Sequence, residues 1–304
     1  MSTTNGHKNE HENGSPMRLP IEKTYKMYVK GEFIRSEGGH TIPFVDAQTG
    51  AITNIARGTR KDARDAVLAA KAGQHSWSGK TPYLRGQILY RLAEVMEGRR
   101  SELIESRRGA GAKDAEKEVD SSIDRVIHYA GWSDKLASVL SSVNPVSGPH
   151  FNVSSPEAMG VIVVATPEGD HPLLAMVSAI LPIIIGGNAA LAIAPESDPK
   201  TAIIWCECVA TSDMPAGVIN VLTGLRSETL PTLAKHMDVQ ALDLWTSNTV
   251  DDAFAKSLAV EAAANVKRVK VRDGAVSWTN DEAQGLGFIE HWLETKTVWH
   301  PVGL

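Results

Sequence analysis

Five short apolar runs, at Met159–Ala165, Ala189–Ala194, Val218–Leu222, Ala241–Trp245 and Val266–Val271, alternate with helix-length segments. This feature constrains the chain most. A strand that is apolar almost without interruption must be covered on both faces, and strands separated by helix-length connections pair in parallel through right-handed crossovers. The expectation is an α/β fold, a Rossmann-like five-stranded parallel sheet flanked by helices. The Ala-rich helix from Asp251 to Ala264 supplies its last crossover.

Ahead of the sheet, the segment from Tyr25 to Gly50 reads as extended structure with turns at Lys30-Gly31 and Gly38-Gly39. Three amphipathic helices are expected next. The first carries Ala63, Ala66, Val67 and Ala70. The second is capped at Thr81-Pro82 and carries Leu84, Ile88, Leu92, Val95 and Met96. The third carries Ile123, Val126, Ile127, Ala130, Ala137 and Leu140. The Pro- and Gly-containing stretch Val143–Ala158 is expected to form a protruding hairpin, and the last seventeen residues an extended arm. Periodicity fades between Val271 and Gly287.

Composition narrows the function. Residues 1–20 are polar without an apolar stretch, which predicts a flexible tail and no secretory signal. Leu173–Ala194 lacks charge, but Pro182 and Gly186-Gly187-Asn188 split it into helix, turn and strand, arguing against a membrane span. The expected location is cytoplasmic. A net charge of −5 offers no footprint for nucleic acid. Cys206 and Cys208, one residue apart in a helical segment, point in different directions and read as core thiols, not as a metal or redox site.

In order and spacing, several motifs resemble the aldehyde dehydrogenase superfamily. They include Tyr28-Val-Lys-Gly-Glu-Phe, Asp46-Ala-Gln-Thr-Gly50, Trp77, Ile88-Leu-Tyr-Arg-Leu-Ala, Met159-Gly-Val-Ile, His171-Pro-Leu-Leu, Gly187-Asn188 and Pro215-Ala-Gly-Val-Ile-Asn-Val-Leu-Thr-Gly224. Leu293-Glu-Thr-Lys-Thr-Val-Trp-His-Pro resembles the family's terminal strand, which crosses to a neighbouring subunit. The resemblance implies a Rossmann-like, NAD-binding-type domain over residues 21–142 and 159–271. An oligomerisation hairpin and arm fall at 143–158 and 287–304. Residues 272–286 would be all that remains of a catalytic domain deleted from within.

Measured against the chemistry such enzymes perform, most positions fail. A thiolate nucleophile is needed, and no cysteine follows Cys208. The family's general-base glutamate falls on Val271 or Arg272, neither of which takes a proton at neutral pH. The oxyanion-holding Asn falls on Asp170, whose charge would repel an oxyanion; Asp170 reads better as the N-cap of a helix with Pro172 in its first turn. The ribose-binding Lys is Ala194, and Leu230 stands where a glycine meets the adenine. The cofactor-binding candidates that remain are Glu196, Gly224, Thr246, Ser247 and Asn248, vestigial at best. Glu196 alone is most simply a solvated carboxylate, and the Thr246-Ser247-Asn248 groups serve equally well to cap the helix from Asp251. No cofactor, or weakly bound NAD(P), is expected.

The expectation from sequence is therefore a non-catalytic subunit that assembles with a full-length aldehyde dehydrogenase paralogue through Val143–Ala158 and Leu293–Pro301. The arm would seek a partner's sheet, because its own chain no longer holds the sheet it would extend. Two alternatives from other classes are an NAD(P)-dependent aldehyde oxidoreductase whose site a partner subunit completes, and an NAD-binding sensor.

Overall fold

The computed structural model describes residues 23–273 and 276–303, so the tail expected at 1–20 and Gly274 lie outside the described residues. The N-terminal part forms five short strands: β1 (Thr24–Tyr25), β2 (Met27–Val29), β3 (Glu32–Ile34), β4 (Thr41–Val45) and β5 (Ile52–Ala56). Lys30 and Gly31 both have positive φ, the backbone that a tight hairpin between β2 and β3 requires. β1, β5 and β4 make a small sheet of their own.

Five helices follow: α1 (Arg60–Ser78), α2 (Pro82–Gly98), α3 (Arg100–Gly109), α4 (Ala115–Trp132) and α5 (Leu136–Leu140). Thr59 and Asp62 form a reciprocal capping box at the start of α1, and the Thr81 side chain caps α2. The third expected helix is two elements, since the chain turns after Trp132 and Ala137 and Leu140 belong to α5. Helix α3 was not anticipated. Its buried face includes Ser106 and Arg107 beside Leu103 and Ile104, which weakens any apolar stripe.

The hairpin β6 (Ser142–Asn144) and β7 (His150–Ala158) leads into β8 (Val161–Ala165). Then come α6 (Pro172–Ile185), β9 (Ala189–Ile193), α7 (Pro199–Ala210), β10 (Ile219–Leu222), α8 (Arg226–Lys235), β11 (Ala241–Trp245), α9 (Asp252–Ala262) and β12 (Arg268–Arg272). The five expected strands pair in parallel in the order β12-β11-β8-β9-β10, and β2 and β3 extend the β10 edge antiparallel to make a seven-stranded sheet. Two apolar layers enclose the sheet. One contains α2, α4, α6 and α7; the other contains α1, α8 and α9.

Helix α6 runs through Pro182, and all its 14 residues are buried. No helix among the described residues is long and apolar enough to cross a membrane.

After β12 the chain folds back as a cover. Arg125 of α4 donates to the carbonyls of Trp278 (2.8 Å) and Ala283 (2.6 Å), and Trp278, Ile289 and Trp292 are buried. Helix α10 (Leu286–Glu290) precedes β13 (Leu293–Pro301), so the extended arm begins at Leu293 and not at Gly287. The arm also has a pairing strand within the chain. β13 pairs antiparallel with β7 over nine residues, in the order β13-β7-β6. The arm therefore finds a strand within its own chain, because the hairpin survives and presents its edge to it. The opposite edge of β13 carries no strand among the described residues.

Candidate functional site

In a doubly wound sheet the ligand crevice opens at the carboxyl ends of the strands, where the strand order reverses. Here the reversal lies between β8 and β11. A cleft of about 1100 Å³ sits there, walled by the turns that follow β8, β9, β11 and β12. Its lining includes Glu168, Asp170, Glu196, Asp251, Asp252 and Asp273 but no Lys or Arg.

One cation lies beneath the cleft. Arg226, the first residue of α8, is 0% exposed. Its guanidinium crosses the ends of two strands. Nη2 donates to the Thr166 carbonyl (2.6 Å) and reaches the Ala194 carbonyl (3.4 Å), and Nη1 meets the Thr249 hydroxyl (3.2 Å). Glu168 pairs with it at 2.9 Å. The Glu168 carboxylate also accepts the backbone N–H groups of Glu196 (2.7 Å) and Ser197 (3.2 Å) and the Ser197 hydroxyl. Burial lowers the pKa of Arg226, and Glu168 and Glu196 oppose that shift.

The helix N-termini around the cleft already hold acids from this chain. Glu196 accepts the N–H of Arg226 at 3.0 Å and so caps α8. The Asp251 carboxylate accepts the N–H of Phe254 at 2.7 Å and caps α9. Asp198 caps α7 through Thr201 at 3.1 Å. Glu118, fully buried on α4, accepts the N–H of Leu173 at 2.9 Å at the start of α6. Arg107 joins Glu118 (2.7 Å) to Asp198 (2.5 Å). Burial raises the Glu118 pKa, while Arg107 pulls it down.

Four of the five residues proposed from sequence meet at this cleft. Glu196, Thr246, Ser247 and Asn248 line it; Gly224 does not. Gly224 has φ +120°, and a Cβ there would stand 2.8 Å from the Gly58 nitrogen, so a close chain crossing requires the glycine. Glu196 is not the lone solvated carboxylate expected, because it caps a helix. The Ser247 hydroxyl accepts the N–H groups of Thr249 and Val250, and Asn248 is exposed. Asp170 does not cap α6. His171 holds the N-cap position without a side-chain bond, and Asp170 contributes its carbonyl to Arg107. Leu230 is buried in the apolar layer under α8.

The two positions on which the resemblance would place a general base differ in environment. Arg272 points inward and pairs with Asp243, whereas Val271 lies on the exposed side of β12. Cys206 and Cys208 are buried in α7; burial pushes the Cys206 thiol well up and the Cys208 thiol to about 11, far from a nucleophilic thiolate. Sequence reading missed Glu168, Arg226, Glu118 and Arg107. Charged residues near glycines and prolines look like solvated loops until the strands bring them together.

A dinucleotide needs uncommitted N–H groups at helix N-termini for its pyrophosphate. The residues present fit that group poorly, because a carboxylate of this chain takes one N–H at the start of each of α7, α8 and α9 and the lining is acidic.

The aldehyde dehydrogenase family profile matches residues 33–279. A cytosolic 10-formyltetrahydrofolate dehydrogenase of Xenopus tropicalis is 31% identical over 268 residues, which is 85% of this chain and 29% of that protein. An aldehyde dehydrogenase of Alternaria alternata is 29% identical over 86% of this chain and 53% of its own length. The chain thus spans about half the length, or less, of these curated relatives. Among solved structures, an aldehyde dehydrogenase from Bacillus cereus in complex with NAD+ superposes with a TM-score of 0.75 at 21% identity, covering 82% of this chain and 50% of that one. A betaine aldehyde dehydrogenase from Staphylococcus aureus in complex with NAD+ gives 0.75 at 22% identity with the same coverage.

Proposed function

The chain belongs to the aldehyde dehydrogenase family, and from that premise we propose that it is a non-catalytic subunit that assembles with a full-length aldehyde dehydrogenase. It binds NAD(P) weakly or not at all. The observation that carries the reading is the sheet β13-β7-β6, kept in a chain with no cysteine after Cys208. The register places Val143, Val153 and Val298 side by side across the three strands, with Phe151 next along the same face. Val143 is 66% exposed, Phe151 49% and Val298 46%. An apolar face beside an unpaired strand edge is a liability unless a partner covers it. A full-length relative is the partner supported best, because Leu293–Pro301 resembles the family's terminal strand, which crosses to a neighbouring subunit. Residues Val143–Ala158 and Leu293–Pro301 form the contact.

Co-expression with a full-length aldehyde dehydrogenase from the same source tests this. The intact chain should co-elute with it on size exclusion. The Val143→Asp, Val298→Asp double variant should elute alone, with its thermal melt close to that of the parent. An intact chain that elutes as a monomer beside the full-length protein would rule the proposal out.

A further inference from the structure

We infer that the crevice at the carboxyl ends of the strands is built around an internal anion, the Glu168 carboxylate, which closes it to nucleotide phosphates. This deepens the cofactor reading above and does not depend on assembly with a partner.

The cradle around Glu168 has the make-up of an anion site. Two successive backbone N–H groups, a hydroxyl and a guanidinium converge on one carboxylate. That donor set suits a phosphate as well as a carboxylate. Arg226 has no exposure to solvent, so its charge must be met from within, and Glu168 is its ion-pair partner. The guanidinium also lies across the ends of β8 and β9, beneath the floor of the cleft. An incoming phosphate would have to expel Glu168 and then face Glu196, Asp251, Asp252 and Asp273 across the cleft. Like charges lining one cleft oppose the binding of an anion. Gly169, at φ +121°, makes the turn that follows Glu168.

Emptying the position should therefore create a phosphate site. The test titrates NAD, AMP and inorganic phosphate into the purified full chain and into Glu168→Ala by calorimetry. Thermal melts run in phosphate and in chloride at matched ionic strength. The parent chain should show no saturable binding of NAD below a concentration on the order of 1 mM. Glu168→Ala should bind AMP or phosphate at least tenfold more tightly than the parent and melt higher in phosphate than in chloride. Parent binding of NAD at micromolar concentration overturns the inference, as does a folded Glu168→Ala chain that binds no better than the parent. Should Glu168→Ala fail to fold in chloride, recovery of its melt in phosphate supports the inference, and no recovery overturns it. Co-elution with a full-length relative is read separately, so this proposal and the assembly proposal fail independently.

Discussion

Arg272 donates its Nε–H to Asp243 at 2.8 Å, pairing the last residue of β12 with the middle of β11, and the aspartate is buried. The same guanidinium lies 5.3 Å from the ring of Trp245, 5.5 Å from Phe288 and 5.6 Å from Trp292. Trp245 in turn packs on Trp278 at 4.9 Å. A position where the family resemblance implies a general base thus holds a cation that fastens the segment after β12 to the sheet. Arg272→Ala leaves Asp243 buried without its partner and should cost about 3–5 kcal/mol in urea denaturation. Arg272→Ala combined with Asp243→Asn should recover part of that loss, and a loss below about 1 kcal/mol for the single change would contradict the account.

The buried acid at the start of α6 makes a similar prediction. Glu118 both caps the helix and neutralises Arg107. Glu118→Ala should lower stability by about 3–5 kcal/mol, more than an ordinary cap removal of about 1 kcal/mol. Chemical denaturation separates the two magnitudes.

Gly73 predicts a reversal of sign. Replacing an exposed mid-helix glycine by alanine gains about 1 kcal/mol. Here a Cβ would collide with the Gly217 carbonyl, on a turn whose φ is +84°. Gly73→Ala should therefore lower the melting temperature. A rise would mean that α1 and the Gly217 turn separate without cost.

His291 predicts an acid sensitivity. Burial, with Arg272, Lys270 and Arg268 nearby, pushes its pKa down from 6.5 to about 4. Between those two values the unfolded chain binds a proton that the folded chain refuses, so stability falls as pH drops through that window. His291→Gln should lose less melting temperature between pH 7 and pH 5 than the parent does. Equal losses would assign the acid sensitivity to other groups, including His128 and His236, which burial also shifts down.

Catalysis gives the simplest expectation. The purified chain should show no aldehyde-dependent reduction of NAD or NADP, followed by absorbance at 340 nm. Turnover that disappears in the Cys206→Ala, Cys208→Ala variant would show that a buried thiol reaches substrate after all.

Local patterns in the chain settle much of the fold. Four of the five apolar runs mark strands covered on both faces, while the fifth marks the edge strand β12, which begins at Arg268 with Val266 left exposed in the preceding turn. Thr59, Thr81 and Asp251 start α1, α2 and α9 through side-chain caps, which depend only on residues three or so positions away. That no cysteine follows Cys208 is equally plain, since it is read directly from the sequence. Other features depended on distant partners. β13 stays with its own hairpin, Arg272 turns inward to Asp243, and Asp170 yields the capping of α6 to Glu118, 55 positions from Leu173. The largest such effect is in the cleft. Glu168 and Arg226 are unremarkable in sequence, Glu196 was a candidate there for another role, and only the sheet brings the three within hydrogen-bonding distance. Charge separated along the chain becomes a paired, buried network when parallel strands align their ends, and that alignment is a property of the tertiary structure alone.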